Sequence, residues 1–469
     1  MEEVNGLLFD KSGNFDGIEL NSYVRYVLSK IQLRLDDSGV FYRYTKSGVW
    51  ERQTELNLKR LLWRFFNQCL PNAWTPSIQN SYMSVLPLAC PKTNKLETDE
   101  NFINLKNGLL DLRTFKLRGH TDKIFTRVQL PIKYNPDATC PNFKKFLSSI
   151  FSDDLERIRL LQEVLGFALT NDTRHQKLFI FYGDGSNGKS TLLNVFAQLV
   201  GGDRNISTIP AEAFERKFEL SQIVDKKLNI SNEMSMSQKA LETRNLKAIT
   251  GGDAVQIEFK HENPFSYRPA AKLFFAFNSL PQVQDLSYGF FRRLVIIPFD
   301  RRFTEDTRTD KEIEIRRNIS DIFREELEGI LMFGLRGLKR LQKNDYRFTK
   351  STVVERLLKR YEEDVNPSLS FVRSYLQEAG EDEKVHPNAV YWAYKMSESP
   401  NGKLPSISRY ALRRDKRRVL DAVRKGLNSA RIPFEIKKGG GVRYFHGIAL
   451  KGPAKKLLRS CPKATGIDF

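Results

Sequence analysis

The residues whose types and spacing are best suited to chemistry form a glycine-rich loop between two apolar stretches, KLFIFY and TLLNVFAQLV. The loop follows the pattern GxxxxGK[ST], which is typical of phosphate binding between a strand and a helix. Glycines let backbone N–H groups approach phosphate oxygens, and the N-terminus of the next helix adds a positive dipole. The predicted nucleotide-binding residues are Gly183, Asp184, Gly185, Ser186, Asn187, Gly188, Lys189, Ser190 and Thr191.

Two residues of this loop have specific expected roles toward ATP and its metal ion. Lys189 is predicted to reach the β and γ phosphates, and the Ser190 hydroxyl is predicted to coordinate Mg²⁺. A phosphate loop also needs an acidic group on a neighbouring strand, and Glu233 follows the apolar stretch KKLNIS. We predict that Glu233 polarises the attacking water and contributes to the metal site, although a strand-end glutamate can also be simply solvated. Asn232 stands where many such enzymes have an aspartate, so metal coordination is expected to depend mainly on Ser190, phosphates and water.

Further candidate catalytic residues lie near two later apolar stretches. Asn278 ends AKLFFAFN and can sense the γ-phosphate or position water, although an asparagine that opens a turn has the same pattern. Arg292 and Arg293 precede LVIIPF, and their charge suits a phosphoryl transition state. If one of them reaches across a subunit boundary, ATP turnover requires a ring. The pair is equally compatible with a surface charge cluster or a DNA contact.

The charge balance favours a polyanionic partner such as DNA. Lys and Arg outnumber Asp and Glu by 76 to 56, for a net charge of +20. Residues 401–469 hold 18 Lys and Arg against 4 Asp and Glu, so most of the excess lies near the C-terminal end. A charge this concentrated indicates a binding site more than a solubilising surface.

The cysteines and the apolar segments indicate the cellular compartment in which the protein is expected to work. Cys69, Cys90, Cys140 and Cys461 form no CxxC pair, so neither a zinc ribbon nor a disulfide framework is predicted. The first residues lack the pattern of a signal peptide, and no segment approaches the length of a membrane span. We expect a cytoplasmic, intracellular protein without a membrane partner.

Changes of pattern divide the chain into four blocks. Residues 1–150 mix helical and strand-like pieces and predict an α+β accessory domain. Residues 151–310 alternate helices with apolar strands, which predicts an α/β core with a parallel sheet covered on both faces in three layers. Residues 311–366 predict charged amphipathic helices that form a lid or a linker. Residues 367–469 predict helices followed by a β-hairpin, the order of a winged-helix-like domain.

Taken together, the motifs resemble the superfamily-3 helicases of the AAA+ class, and more narrowly their poxvirus-type and phage-type primase-helicase branch. Upstream stretches such as FYRYTKSGVW resemble the domain that precedes the helicase in this branch. The motifs that carry the resemblance are GDGSNGKST as Walker A, LNISNE as Walker B, LKAITGGDAVQIEFKHENPFSYRPAAK as the B′ segment, LFFAFNSLP as motif C and GFFRRLVIIPF as the arginine-finger region.

The resemblance implies an AAA+ P-loop core, a homohexameric ring and ATP-driven movement along DNA during replication of a virus, phage, plasmid or mobile element in a host cell. It also implies that the B′ segment forms a hairpin whose basic tip grips single-stranded DNA in the pore. Lys260 and His261 are the expected tip residues, and Lys247 is expected to add a phosphate contact. Each of the three is otherwise an ordinary exposed residue.

A second DNA contact is predicted from the stretch SRYALRRDKRRVLDAVRKGL. Its arginines share a helix with an apolar face, so the helix can lie in or along the major groove of double-stranded DNA. A basic tail that joins subunits or meets a partner protein is the rival interpretation. The predicted contacts are Arg413, Arg414, Arg417 and Arg418 on the helix and Lys437 and Lys438 on the following wing.

Other functions remain open at this level. A DNA-dependent ATPase without unwinding activity, such as a packaging motor, a nucleotide-controlled defence switch or an origin-binding initiator, shares the phosphate loop. Relatives often carry an N-terminal primase domain, whereas few residues precede the accessory block here, without zinc-ribbon cysteines or a polymerase carboxylate cluster. We therefore expect a separate primase or host replication proteins to supply primers.

Overall fold

The computed structural model describes residues 2–36, 39–92, 99–232, 240–261, 263–303, 310–399, 409–439 and 441–461. Within them the chain forms small antiparallel sheets, a central parallel sheet, and a C-terminal group of helices and short strands. Each helix among these residues is too short or too polar to traverse a lipid bilayer.

The region before the central sheet has the expected α+β character. Its elements are β1 (Glu2–Val4), β2 (Leu7–Phe9), β3 (Phe15–Ile18), α1 (Leu20–Lys30), β4 (Leu33–Leu35), β5 (Phe41–Tyr44), β6 (Trp50–Gln53), α2 (Glu55–Cys69), α3 (Pro76–Ala89), β7 (Phe102–Leu105), β8 (Gly108–Asp111), β9 (Lys116–Arg118) and α4 (Pro141–Phe151). The strands form three antiparallel sheets, β1-β2-β3, β4-β5-β6 and β7-β8-β9. Helices α1, α2 and α3 pack around the buried aromatic side chains of Tyr23, Phe66 and Tyr82.

The central sheet has five parallel strands. The elements of this region are α5 (Leu155–Ala168), β10 (Leu178–Tyr182), α6 (Lys189–Val200), β11 (Ile206–Ser207), α7 (Lys217–Leu220), β12 (Leu228–Ser231), α8 (Arg244–Gly251), β13 (Val255–Ile257), β14 (Phe265–Tyr267), β15 (Lys272–Phe277), α9 (Tyr288–Phe291) and β16 (Leu294–Pro298). Their order in the sheet is β11-β12-β15-β10-β16. The four apolar stretches that predicted strands are β10, β12, β15 and β16, which confirms the mixed α/β class and the parallel sheet.

Both faces of this sheet are buried. Phe179 and Phe181 of β10 point into one hydrophobic cluster, and Leu178 and Ile180 point into another. Since successive side chains of a strand point to opposite faces, alternate β10 residues pack against different layers of helices. This is why the strands are apolar runs without polar alternation.

Residues after β16 form α10 (Asp310–Glu325), α11 (Leu327–Lys343) and α12 (Thr352–Val365). Helix α11 packs directly on α5, and a β-carbon added to Gly337 would lie 2.2 Å from the carbonyl oxygen of Gln162. The side chains of Ile330, Leu338 and Leu341 belong to the same cluster as β10. The apolar face of α11 completes the core, and the expectation that residues 311–366 form a lid or a linker remains a prediction.

The same cluster extends across residue 150. Ile103 and Leu110 of the preceding region share it with Phe143 of α4 and Phe179 of β10. A domain boundary at residue 150 remains a prediction, but the apolar packing is continuous there. Amphipathic patterns identify which residues are buried and do not identify the surface that buries them.

The C-terminal group has its own hydrophobic cluster. Its elements are α13 (Pro367–Tyr375), β17 (Leu376–Glu378), β18 (Lys384–Val385), α14 (Pro387–Ser397), α15 (Arg409–Ala430), β19 (Glu435–Gly439), β20 (Val442–His446), β21 (Ile448–Leu450) and α16 (Gly452–Arg459). The predicted hairpin forms from β19 and β20, with Gly439 paired to Val442. Asn366 ends α12 and its side chain caps α13 by accepting a hydrogen bond from the Leu369 N–H at 3.2 Å.

Candidate functional site

The glycine-rich loop lies at the carboxyl end of β10, between the ends of β15 and β16. Helix α6 begins at Lys189 directly after the loop. Its N-cap is Gly188, at φ +91°, which has no side chain to cap the helix. The Lys189 N–H donates to the Asn187 side-chain oxygen at 3.4 Å, and the helix N-terminus provides the positive dipole that the predicted phosphate site requires.

Lys189 is 2% exposed, and its ammonium group points back into the loop. Its Nζ donates hydrogen bonds to the carbonyl oxygens of Gly183 and Asp184 and to the side-chain oxygens of Asn187 and Asn278, the last at 3.2 Å. Tyr182 of β10 pairs in register with Phe277 of β15, so the residues after each strand meet at one edge. The structure thus brings together two residues that are far apart in the sequence and were predicted separately.

The chain after β16 braces the loop from the other side. The Asn187 side chain donates a hydrogen bond to the Phe299 carbonyl at 3.2 Å, and Phe303 N–H donates to the Ser186 carbonyl at 2.8 Å. Gly183 has φ +147°, and a β-carbon there would lie 2.5 Å from the Phe299 oxygen. Only glycine fits this position without a shift. The sequence contains no signal for this bracing because it depends on the order of strands.

The remaining loop residues fit a phosphate ligand and its metal ion. Asp184, Gly185, Ser186 and Ser190 are exposed, and Thr191 is half-buried. Ser190 lies in the first turn of α6 and is exposed. A hydroxyl oxygen is a suitable Mg²⁺ ligand when phosphates and water provide the others.

The predicted catalytic carboxylate is not among the residues that the structure describes. Strand β12 ends at Ser231 next to β15, and Asn232 is exposed. Glu233 lies outside the described residues, so its roles in water activation and metal binding remain predictions.

The two arginines lie at the opposite, amino-terminal edge of the sheet. Arg292 donates a hydrogen bond to the Gln176 side chain, and Arg293 to the Gly289 carbonyl. Strands β10 and β16 are five residues long, which corresponds to roughly 16 Å between the edges. Burial, together with the neighbouring Arg292, lowers the pKa of Arg293. Within one subunit, the structure does not bring these arginines to Lys189.

A hairpin extends from the core where the B′ segment was expected. Strands β13 and β14 pair antiparallel, with Val255 opposite Tyr267. Lys260 and His261 are exposed in the turn, and His261 has φ +65°. The hairpin is thus present, and its contact with DNA remains a prediction.

Lys247 has a different environment from the hairpin tip. It lies on α8, and its ammonium group forms an ion pair with Asp285. Burial tends to raise the pKa of Asp285, but hydrogen bonds from Lys247 and Ser287 outweigh that effect and lower it. The charge of Lys247 is therefore already partly neutralised within the protein.

Two arginines hold the hairpin, and sequence reasoning missed both. They belong to the region before the central sheet, elements β1 to α4, which we call the accessory region. The Arg52 guanidinium lies over the rings of Phe259 and Phe265, at 5.2 and 4.9 Å from their centroids. Arg127 forms a 3.0 Å ion pair with Asp225 and lies 5.0 Å from the ring centroid of Tyr267. Burial raises the pKa of the Tyr267 hydroxyl. These contacts join distant segments, so no local pattern predicts them.

The basic helix α15 has the expected two faces. Val419, Val423 and Leu427 are buried in the C-terminal cluster. The predicted DNA-binding residues are exposed, and they are Arg413, Arg414, Arg417, Arg418, Lys437 and Lys438. Two of them have acidic neighbours, since Arg418 pairs with Asp415 at 3.1 Å and Lys437 with Glu435 at 2.8 Å.

Comparison with known proteins identifies two matched regions. Residues 35–152 match the family described as D5 N terminal like, and residues 181–293 match a family of unknown function, DUF5906. The chain is 25% identical over 227 residues to the putative helicase L207/L206 of Acanthamoeba polyphaga mimivirus, which covers 46% of this chain and 24% of that protein. It is 25% identical over 223 residues to the putative helicase 121R of Invertebrate iridescent virus 3, covering 44% and 23%.

Among solved structures, the apo A form of the NrS-1 C-terminal region aligns with a TM-score of 0.47 at 13% identity, covering 90% of this chain and 98% of that chain. The curated viral relatives are much longer, and the matched part of this chain spans about a quarter of their length. The chain is therefore similar, over less than half of its length, to viral proteins named putative helicases.

The geometry of the loop predicts that polyphosphate stabilises the folded chain through Lys189. At about a hundredfold excess over Kd, tripolyphosphate should add roughly 2.7 kcal/mol to the free energy of unfolding. Lys189→Ala should abolish the increase in thermal midpoint, because the variant lacks the buried ammonium group. Lys343→Ala, which removes an exposed lysine at the end of α11, is the matched control and should retain it. An equal increase in both variants would contradict the assignment of Lys189.

Proposed function

We propose that this chain is an ATP-driven DNA helicase of superfamily-3 type, within the AAA+ class, that acts in the replication of a virus, phage, plasmid or related mobile element. The observation that carries the proposal is the 3.2 Å contact between Lys189 Nζ and Asn278 Oδ1 at the carboxyl edge of the parallel sheet. It joins a phosphate-binding lysine to a polar strand-end side chain, the pair needed to hold a γ-phosphate and its attacking water. The similarity to viral putative helicases supports the same proposal.

In this proposal ATP is the substrate, and the loop and Lys189 hold its β and γ phosphates. Asn278, beside the Lys189 ammonium, orients the γ-phosphate or the water. Glu233 polarises that water as general base. Mg²⁺, when bound at Ser190, neutralises charge on the phosphates.

The positions of Arg292 and Arg293 favour a ring. They lie at the edge of the sheet opposite Lys189, so neither can reach the nucleotide of its own subunit without a large rearrangement. A neighbouring subunit can present its loop to that edge, and an arginine that acts in trans then stabilises the transition state. We propose a homohexamer on this basis.

The DNA contacts follow from exposure and charge. Lys260 and His261 at the hairpin tip are proposed to grip single-stranded DNA in the pore, while Lys247, paired with Asp285, contributes less. We call the C-terminal group of elements, α13 to α16, the C-terminal module. It is proposed to be a winged helix, with α15 as its recognition helix and the β19 and β20 hairpin as its wing. Its exposed arginines would contact double-stranded DNA.

A strand-displacement assay on forked DNA tests the function directly. We expect unwinding that requires ATP and Mg²⁺. Glu233→Gln should lower turnover about a hundredfold or more while ATP binding persists, and Lys189→Ala should lose both. ATP hydrolysis without displacement would favour a DNA-dependent ATPase such as a packaging motor or initiator. Normal hydrolysis by Glu233→Gln would show that the carboxylate is wrongly assigned.

Mixed rings test the arginines. Lys189→Ala subunits and subunits carrying both Arg292→Ala and Arg293→Ala should each be inactive alone. Mixing them should restore part of the ATPase activity, because an intact loop then faces an intact arginine pair across some interfaces. The measurement is turnover against mixing ratio, with ring composition determined by native mass spectrometry. No recovery in confirmed mixed rings would argue against action in trans.

Substitution of the hairpin tip should separate ATP turnover from unwinding. Lys260→Ala is expected to keep basal ATPase activity while unwinding and stimulation by single-stranded DNA fall about tenfold, because the residue contacts the strand and not the nucleotide. Lys217→Ala is the matched control, since Lys217 is an exposed lysine near the hairpin that pairs with Glu258 at 3.6 Å. Equal unwinding by both variants would remove Lys260 from the DNA path.

A further inference from the structure

A cleft of about 950 Å³ lies between the accessory region and the B′ hairpin. We call it the interdomain cleft, and its walls come from β4, β5, β6, residues 99–101 and 122–127, and strand β14 of the hairpin. It is distinct from the phosphate loop. Its volume is in the range of small-molecule and nucleotide sites, and it is large enough for one or two nucleotide units.

Aromatic rings and cations line this cleft together. Trp50 stacks on Phe125 with ring centroids 5.7 Å apart, and the Arg34 guanidinium lies 5.9 Å from the Trp50 ring. Phe265 and Tyr267 contribute the wall from the hairpin. Interleaved aromatic and arginine side chains are typical of sites that stack nucleobases and balance phosphate charge.

Among the described residues, one buried donor of the wall has no acceptor, and two cations of the wall, the half-buried Arg34 and the exposed Lys123, form no ion pair. Trp50 is 1% exposed, and its indole N–H has no hydrogen-bond acceptor there. Neither Arg34 nor Lys123 forms an ion pair with any described residue. A buried donor without an acceptor is rare and calls for a ligand, water or ion. An acceptor that carries negative charge would satisfy all three groups.

Carboxylates also line the cleft, but three of the four have protein partners. Asp36 accepts a hydrogen bond from the Val40 N–H at 2.8 Å, Asp99 accepts one from the Asn101 N–H at 2.9 Å, and Glu100 pairs with Arg174 at 3.4 Å. Asp122 is the fourth. The cleft therefore suits one or two phosphates and a base that has polar edges, which is the size of one or two nucleotide units of a longer strand.

We propose that the interdomain cleft binds a nucleotide unit of single-stranded DNA, an inference that rests on the proposed function for its choice of DNA as the source. The phosphate is held by Arg34 and Lys123, the Trp50 N–H donates to the ligand, and the base lies against the aromatic wall. Because Phe265 and Tyr267 belong to the hairpin whose tip carries Lys260, a strand held at the tip is close to the cleft. The accessory region would then share the DNA track with the core.

The test is direct binding by the full chain without ATP, so that it does not depend on hydrolysis. The probe is a short fluorescein-labelled oligodeoxythymidylate, followed by anisotropy over a salt series. The double variant Arg34→Ala, Lys123→Ala should bind about tenfold more weakly, with a salt slope reduced by roughly 0.7 for each phosphate that is no longer neutralised. Arg64→Ala removes one exposed arginine on α2 outside the cleft, so it is the control for loss of a surface charge and should bind normally.

A second variant addresses the ligand itself. Trp50→Phe keeps a ring against Phe125 but removes the N–H, so it should lose the tryptophan fluorescence change that the oligonucleotide produces and bind several-fold more weakly. Thymidine monophosphate at the same nucleotide concentration should not produce that change. If it does, the ligand is a free nucleotide and the assignment to a DNA strand is wrong.

The outcomes separate this inference from the proposed function. A double variant that binds the oligonucleotide as tightly as Arg64→Ala overturns the cleft proposal even if the protein unwinds DNA. Loss of binding in the double variant supports the cleft even if strand displacement fails.

Discussion

Strand β10 hydrogen-bonds to β15 on one side and to β16 on the other, and all three strands run in the same direction. This parallel register determines where each group of the candidate site lies. The residues after β10 and β15, including Lys189 and Asn278, meet at the carboxyl edge. Arg292 and Arg293 precede β16 and lie at the amino edge. The separation of the proposed phosphate-binding residues from the two arginines is thus a direct consequence of strand direction, and it underlies the proposed ring.

The accessory region and the core are linked through the hairpin. Arg127, with only 9% of its side chain exposed, pairs with Asp225 and lies beside Tyr267, and Arg52 lies over two hairpin phenylalanines. Removing one partner of a buried pair leaves an uncompensated charge and is costly. The base of the hairpin is therefore held by the accessory region, while Lys260 and His261 at its tip are exposed. Any motion of the hairpin must be accommodated by these contacts.

The basic residues of the chain differ in how available their charges are for contact with DNA phosphates. Lys247 forms an ion pair within the core, whereas Arg413, Arg414 and Arg417 are exposed on α15. Exposed side chains can exchange their counterions for phosphates, and a side chain that is already paired has less to gain. Net charge alone does not distinguish these cases. The exposure of these arginines and of the hairpin tip supports the DNA contacts that we propose for them.

Local sequence patterns determined the phosphate loop, the four apolar strands, the hairpins and the two-faced helix α15, because each depends on residue type, turn chemistry or periodicity within a short window. They could not predict the order of strands in the sheet, and therefore could not predict that Lys189 contacts Asn278 or that Phe299 braces the loop. Nor could they show that α11 is core, since an amphipathic face does not identify its partner. The contacts of Arg52 and Arg127 with the hairpin also join segments that are distant in sequence, and so do the walls of the interdomain cleft. Only the tertiary structure decides such contacts, because they form where the packing of many elements brings separate strand ends and loops together.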